Sequence, residues 1–495
     1  MSSAKLNYSG LLVKNTLFNL LGQIAPLIVG IFAMPVLIRE LGTERFGLLA
    51  LAWSVIGYFS LLDLGLGRAL TRLVAEKIAA KLELEIPSMA WTALILMLLL
   101  GLAGTGLLMM SSSWLVYKML KIPVDLQQET LKSFYIVALS IPVVTSTAGL
   151  RGILEAKQRF DMVNLVRFPL GIFTFLGPLA VLPFSKNLFD IIVVLLVGRI
   201  LAGVAYLYLC IRCIPDLVHN ISLNANKIRP LLSFGGWMTV TNIIGPVMMY
   251  FDRFAIGSLI SITAVAYYTT PYEVVTKLLI IPAALAAVLF PAFAASFAHD
   301  RERTRQLFVK GLKYTYIVLF PLCLLITAFA YEGLSFWLGT EFANHSSRVL
   351  QWIAIGIFIN GLTHIPFAFV QGLGHPDLTA KLHVVELPIY LVLLFALISL
   401  FNIEGAAIAW LIRVTLDCLL LLVFSFKLLS QTVSTSFFKM ALAPVFFALT
   451  LLLFVFIDGI LFKSILFFLI FIVFILYSWF ILLMRDKHLI MAFKI

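Results

Sequence analysis

Charge is what this sequence has least of. Asp, Glu, Lys and Arg together make up 12% of 495 residues, about half the share of an ordinary soluble domain. Apolar and aromatic residues make up 62%, and mean hydropathy is +1.06. A soluble fold could not hide that much apolar surface in one core. Soluble enzymes, nucleic-acid binders and secreted scaffolds are therefore excluded, and the chain reads as an integral membrane protein. Cysteine is scarce as well: four residues give no disulfide framework. Cys210 and Cys213 form a C-x-x-C, but at a basic helix end and outside any βαβ context, so they read as a packed or lipid-facing helix end and not as a redox or metal site. No Gly-Lys dipeptide occurs, so there is no Walker lysine loop and no ATP site. Asp-x-Asp, His-Glu and Gly-x-Ser-x-Gly are missing too, which removes a metal-diphosphate grip, a zinc-protease helix and a serine elbow. Stretches between apolar runs reach only about 20 residues, too short for a soluble catalytic domain. No catalytic residue, metal or cofactor is expected.

A spanning helix needs roughly 20 apolar residues. Fourteen segments qualify: 16–38, 46–67, 89–110, 131–150, 168–184, 189–211, 231–251, 264–296, 314–331, 349–370, 385–401, 405–426, 440–457 and 464–484. Met1–Gly10 is polar and the first apolar run is a full span, so no signal peptide is expected. With fourteen crossings both termini share one side. The connections on that side carry 24 Lys and Arg, including Arg68–Lys81 and Arg301–Lys313, against 9 on the other, among them Arg39, Arg45 and Arg253. The basic side is read as the cytoplasm, with both termini inside. Within the outer segment Ser111–Lys132, the stretch Trp114-Leu-Val-Tyr117-Lys118-Met-Leu-Lys121 reads as lying in the membrane interface.

Landmarks recur at an offset of about 220 residues. Leu131-Lys-Ser-Phe-Tyr-Ile is echoed by Leu350-Gln-Trp-Ile-Ala-Ile, and Leu150-Arg-Gly by Val370-Gln-Gly. Each half holds six spans, an even number, which implies a parallel repeat about an axis along the membrane normal, as in some secondary transporters. The expected fold is an all-α membrane protein of fourteen transmembrane helices: two six-helix bundles related by a pseudo-two-fold, residues 1–213 and 214–428, with two additional helices and a tail in 429–495.

Several motifs match a known family. Asn15-Thr-Leu-Phe-Asn, Pro35-Val-Leu-Ile-Arg39-Glu-Leu-Gly-Thr-Glu-Arg-Phe-Gly47, Leu61-Leu-Asp63-Leu-Gly-Leu-Gly67, Phe234-Gly-Gly-Trp237, Tyr250-Phe-Asp252-Arg253 and Leu289-Phe-Pro291 resemble bacterial polysaccharide flippases. These belong to the multidrug/oligosaccharidyl-lipid/polysaccharide exporter superfamily. The resemblance runs over essentially the whole chain. It implies a V-shaped cavity between two bundles and alternating access. The cargo would be an undecaprenyl-diphosphate-linked oligosaccharide, carried to the outer leaflet of the inner membrane for O-antigen, capsule or exopolysaccharide assembly. Implied partners are the lipid bilayer, H+ or Na+, a polysaccharide polymerase and a chain-length regulator, with no nucleic acid. A peptidoglycan-precursor flippase, a cation-coupled drug antiporter of the same superfamily and a membrane glycosyltransferase or polymerase are the alternatives.

Ionisable residues inside spans are costly in hydrocarbon, so each normally faces a cavity or a partner. Glu273 and Lys277 lie four apart on one helix face, as do Arg413 and Asp417; Arg199 stands alone, with Asp190 or a helix carbonyl as its expected captor. Three embedded cations against two clear acids leave a slightly positive interior, suited to a diphosphate. Lys277, Arg413, Arg199 and Glu273 are therefore substrate-binding candidates. Asn19 and Gln23, on the polar stripe of the first span that starts at Asn15, would suit sugar hydroxyls. Asp63, Glu273 and Asp417 are the ion-coupling candidates. The plainer reading of each i, i+4 pair is a salt bridge that only fastens helices, and that of the stripe is interhelical hydrogen bonding.

Overall fold

The computed structural model describes residues 3–61, 66–218, 222, 224, 225, 227, 228, 236–297, 300–429, 435–457 and 459–485. Their side chains are described from Ala25 onward, except at 60, 61, 79, 236–243, 435–444 and 480–485. Among the described residues every regular element is helical. In hydrocarbon a backbone N–H or C=O finds no water, and a helix satisfies nearly all of them within its own segment.

The helices are α1 (Ser3–Leu61), α2 (Leu66–Ala79), α3 (Ile86–Trp114), α4 (Val124–Ala156), α5 (Phe160–Val181), α6 (Leu188–Cys213), α7 (Gly236–Leu259), α8 (Ile262–Val275), α9 (Ile280–Phe297), α10 (Arg301–Ala328), α11 (Ala330–Leu338), α12 (Thr340–Gly372), α13 (Pro376–Leu428), α14 (Thr435–Phe456) and α15 (Ile460–Arg485). Two of them exceed any bilayer. At about 1.5 Å per residue, 59-residue α1 and 53-residue α13 would run far past a hydrocarbon core of about 30 Å. Each is broken once, at Gly42 (φ 78°) and at Asn402 (φ 53°). A positive φ is nearly free for glycine and tolerated by asparagine. So each long helix is two crossings joined by a tight turn. The first half of α1 contains the expected span 16–38 and the second covers 46–61 of the expected 46–67, while the halves of α13 contain 385–401 and 405–426.

The chain separates into two compact units, residues 1–270 and 271–495. In the first unit α4 packs on α3 and α6, and α5 packs on α1 and α6. Gly47 allows the second half of α1 to press its backbone against the Ile262 carbonyl, a place where a Cβ would overlap. At one end Arg45 forks onto Glu129 at 3.0 and 3.1 Å, and Glu129 also accepts the Leu188 N–H, at 2.6 Å, at the start of α6. At the other end Lys77 and Lys227 share Glu85 at 2.9 and 3.8 Å, and the Trp91 indole N–H donates to the Leu217 carbonyl.

In the second unit α12 is the central helix, 78% buried over its apolar stretch, with α9, α10, α11 and α13 packed around it. The last two helices belong to this unit: α14 packs on α10 and α12, and α15 on α10. The joint is aromatic. Phe320 of α10 lies 4.5 Å from the ring of Phe447 (α14) and 4.8 Å from that of Phe474 (α15). Such ring pairs contribute about 0.5–1.5 kcal/mol beyond their buried area.

Three readings of the sequence need correction. The basic runs Arg68–Lys81 and Arg301–Lys313 are mostly helix, the first falling in α2 and the second opening α10, where the Asp300 carboxylate caps the Arg303 N–H at 2.9 Å. The segment Trp114–Lys121 is no separate interfacial helix. It prolongs α3 through a π turn at Leu115–Met119, because nothing before Pro123 forces the helix to stop. Trp114 and Tyr117 remain exposed. Arg253, finally, is no interfacial anchor. Helix α7 continues to Leu259, so Asp252 and Arg253 fall inside it, and both are fully buried.

Candidate functional site

The span holding Glu273 and Lys277 is irregular where they sit. Between Pro271 of α8 and Pro282 of α9 the helix tightens into a 3-10 turn at Thr276–Leu279. Proline withholds an N–H and crowds the preceding turn, and a 3-10 stretch within a span marks a place where the helix can flex. Lys277 lies near the midpoint of the 36-residue apolar run Ile262–Phe297. Its ammonium stands 3.5 Å from the Glu273 carboxylate, and the two side chains are 43% and 33% exposed. The expected i, i+4 pair therefore forms, but at long range and open to its surroundings.

Arg413 and Asp417 sit in the second half of α13. The Arg413 guanidinium lies over the Tyr390 ring, 5.8 Å from its centroid. Asp417 is buried, and it meets two residues on the first half of α13 that the sequence reading passed over, His383 and Glu386. One ligand atom from each of the three lies within 4.8 Å of the others. The apolar run in the sequence starts at 385, which put Glu386 at a membrane edge. The helix in fact begins at Pro376, a residue pre-organised for a first turn, so Glu386 lies ten residues in. Read that way, Pro376 was the available signal. Glu386 is thus a third embedded acid beside the two that the sequence count set against three embedded cations, and the buried Asp252 and Arg253 add one of each.

Arg199 sits at the middle of α6, with its Nε buried and without an acceptor among the described residues. Asp190 does not capture it. Nine residues away on the same helix, Asp190 accepts instead from the Ser185 hydroxyl at 2.6 Å. Asn19 and Gln23 lie on α1, and their side chains fall outside the described ones; Asp63 lies outside the described residues altogether.

A second buried charge network lies in the first unit. Arg253 Nη1 meets the Asp252 carboxylate at 2.7 Å and donates to the Met249 carbonyl. The other Asp252 oxygen accepts from the Tyr268 hydroxyl at 2.6 Å, and the guanidinium lies over the Tyr250 and Tyr268 rings. Both charged residues of this network are fully buried.

The C-x-x-C lines a depression of about 510 Å³ with Lys157, Arg159, Met162 and Arg212. The Cys213 thiol rests 3.4 Å from the Met162 sulfur, and the Cys210 thiol donates to the Leu150 carbonyl. Both cysteines are free and packed at a helix end.

A long-helix architecture with broken double spans and charged residues near mid-span defines a multi-pass membrane transporter fold. Its likeness to solved structures agrees. The inward-facing conformation of a multidrug resistance MATE family transporter of the MOP superfamily superposes with a TM-score of 0.71 over 83% of this chain and 98% of that one, at 14% identity. The family model described as polysaccharide biosynthesis protein matches residues 12–297. The chain is also 32% identical over 413 residues to the "Putative O-antigen transporter" of Shigella flexneri, covering 83% of this chain and 96% of that protein. The "Probable flippase AglR" of Haloferax volcanii is 21% identical over 79% of each chain. The chain belongs to the polysaccharide biosynthesis protein family.

Proposed function

We propose that this protein is a flippase that carries an undecaprenyl-diphosphate-linked oligosaccharide from the cytoplasmic to the outer leaflet of a bacterial inner membrane. The observation that carries this reading is the family match, together with likeness to a relative named for O-antigen transport over nearly that relative's full length. The site chemistry supports it. A lysine near mid-span, loosely held by a glutamate four residues away, can exchange that carboxylate for a passing diphosphate. Arg413, on another helix of the same unit, supplies a second cation, and Arg199 a third in the first unit. Asn19 and Gln23 are the sugar-facing candidates on α1. The lipid tail stays in the bilayer while the headgroup moves through the protein by alternating access. Ion coupling falls to Asp63, Glu273 and Asp417. A polymerase and a chain-length regulator that consume the product outside are the natural partners.

The test is direct. In vesicles containing a labelled undecaprenyl-diphosphate oligosaccharide, adding the protein should expose the inner-leaflet pool to an impermeant glycosidase outside. An inner pool equally protected with and without protein would overturn the reading. Orientation is tested separately. Reporter fusions at Lys5, at Lys494 and within 301–313 should all read cytoplasmic, as the excess of basic residues on that side requires. A periplasmic signal at 301–313 would reverse the topology.

A further inference from the structure

The cluster that joins the two halves of α13 has more acid than base. Glu386 is 5% exposed and Asp417 is 7% exposed. Among the described residues no donor reaches either oxygen of Glu386 or Oδ1 of Asp417, and Nδ1 of His383 has no partner. Because the chain doubles back at Asn402, a residue from each half reaches the same depth. Glu386 lies about 15 Å from the start of the helix at Pro376, and Asp417 about 17 Å from its end at Leu428, at about 1.5 Å per residue. The cluster thus sits near the middle of both crossings.

The surroundings limit what it can bind. Arg413 is the charged group that acts on all three members. On α13 the neighbouring titratable groups are Tyr390, under the Arg413 guanidinium, and Cys418. On α12, packed alongside, Phe367 stacks on the His383 ring, and the His364 Nδ1 is bonded to the Asn360 carbonyl. With both carboxylates ionised, Arg413 charged and His383 neutral, the group carries one net negative charge at mid-membrane, a costly state. Two like charges this close, with no donor to Glu386 among the described residues, do not both persist. One proton removes the excess and supplies the missing donor, since a protonated carboxyl gives an O–H to its neighbour. A divalent metal ion would overshoot that single charge beside the guanidinium that already stands there, and a monovalent one would balance the charge without supplying the missing donor hydrogen.

The geometry points to a proton-binding site made by Glu386, Asp417 and His383, with Arg413 setting its charge balance. The proton enters from water onto a carboxylate oxygen, is held as an O–H···O bond between Glu386 and Asp417, and leaves to water; no other bond changes. That its binding and release drive the transport cycle rests on the flippase reading above. The site itself does not.

Infrared spectroscopy of the purified protein in lipid nanodiscs tests it. The wild type should show a protonated-carboxyl C=O band that persists above the pH at which exposed carboxyls have ionised. Glu386→Gln and Asp417→Asn should each remove or displace that band while eluting as monodisperse protein. A wild type without the band, or a band unchanged in both variants, would overturn the proposal. So would a band bleached by Na+ or Zn2+ at constant pH, which would assign the site to a metal cation. In the vesicle assay an imposed pH gradient should speed wild-type flipping, and Glu386→Gln should flip at a rate independent of the gradient. A band with no flipping under any condition would count against the flippase reading alone.

Discussion

Replacing Lys277 by alanine is expected to abolish surface glycan assembly while leaving the amount of protein in the membrane near normal. The argument starts from the pair it breaks. At 3.5 Å, with both side chains a third or more exposed, the Glu273–Lys277 contact is too open to hold the fold. Its loss should therefore cost little stability. Function is different, because a diphosphate entering a low-dielectric site needs a cation that can release its resting partner. Lys277→Arg should retain partial function: the charge persists, but a planar fork replaces a compact ammonium. A decisive control removes both charges. If the pair were only a fastener, Glu273→Gln combined with Lys277→Met would restore activity, since no uncompensated charge remains. Wild-type glycan display in that double variant would refute substrate contact by Lys277.

Arg253→Met should have the opposite signature: loss of protein first, and loss of function only in consequence. The substitution leaves the Asp252 carboxylate buried with its guanidinium gone. Breaking a buried pair in this way costs about 3–5 kcal/mol. That is a large part of the stability of most folded proteins. Membrane levels should fall sharply, and the variant that accumulates should unfold at lower temperature in detergent. Asp252→Asn with Arg253→Met should recover part of the level, because the orphaned charge is gone while Tyr268 keeps a hydrogen-bond partner. A single Arg253→Met variant with normal yield and thermal stability would show that the network carries no structural load.

The two predictions separate residues that look alike in the sequence. Lys277 and Arg253 each stand in or beside an apolar run, each near an acid. The adjacent acid at 252 could not be read as a partner, because residues next to each other on a helix point in different directions. The tertiary fold brings Asp252 and Arg253 together by burying both and adding Tyr268 from α8. The fold likewise brings Glu386 to Asp417, 31 positions apart, by doubling α13 back at Asn402.

The sequence alone determined the membrane class, the helical architecture and the approximate positions of the spans, because hydrocarbon imposes one requirement on every residue in turn: an apolar side chain and a locally satisfied backbone. That requirement is read residue by residue and needs no partner. The pairs at i and i+4 were legible for the same reason, since helix geometry alone puts Glu273 beside Lys277. Only the tertiary structure decided which charges are enclosed and which stay open. Arg253 lost its place as an interfacial anchor, and Glu386 moved from the membrane edge to mid-span because Pro376 starts the helix earlier than the apolar run does. The exposed Lys277 and the enclosed Glu386 differ in what packs around them, and packing is set by residues distant in the chain, whose approach no local pattern encodes.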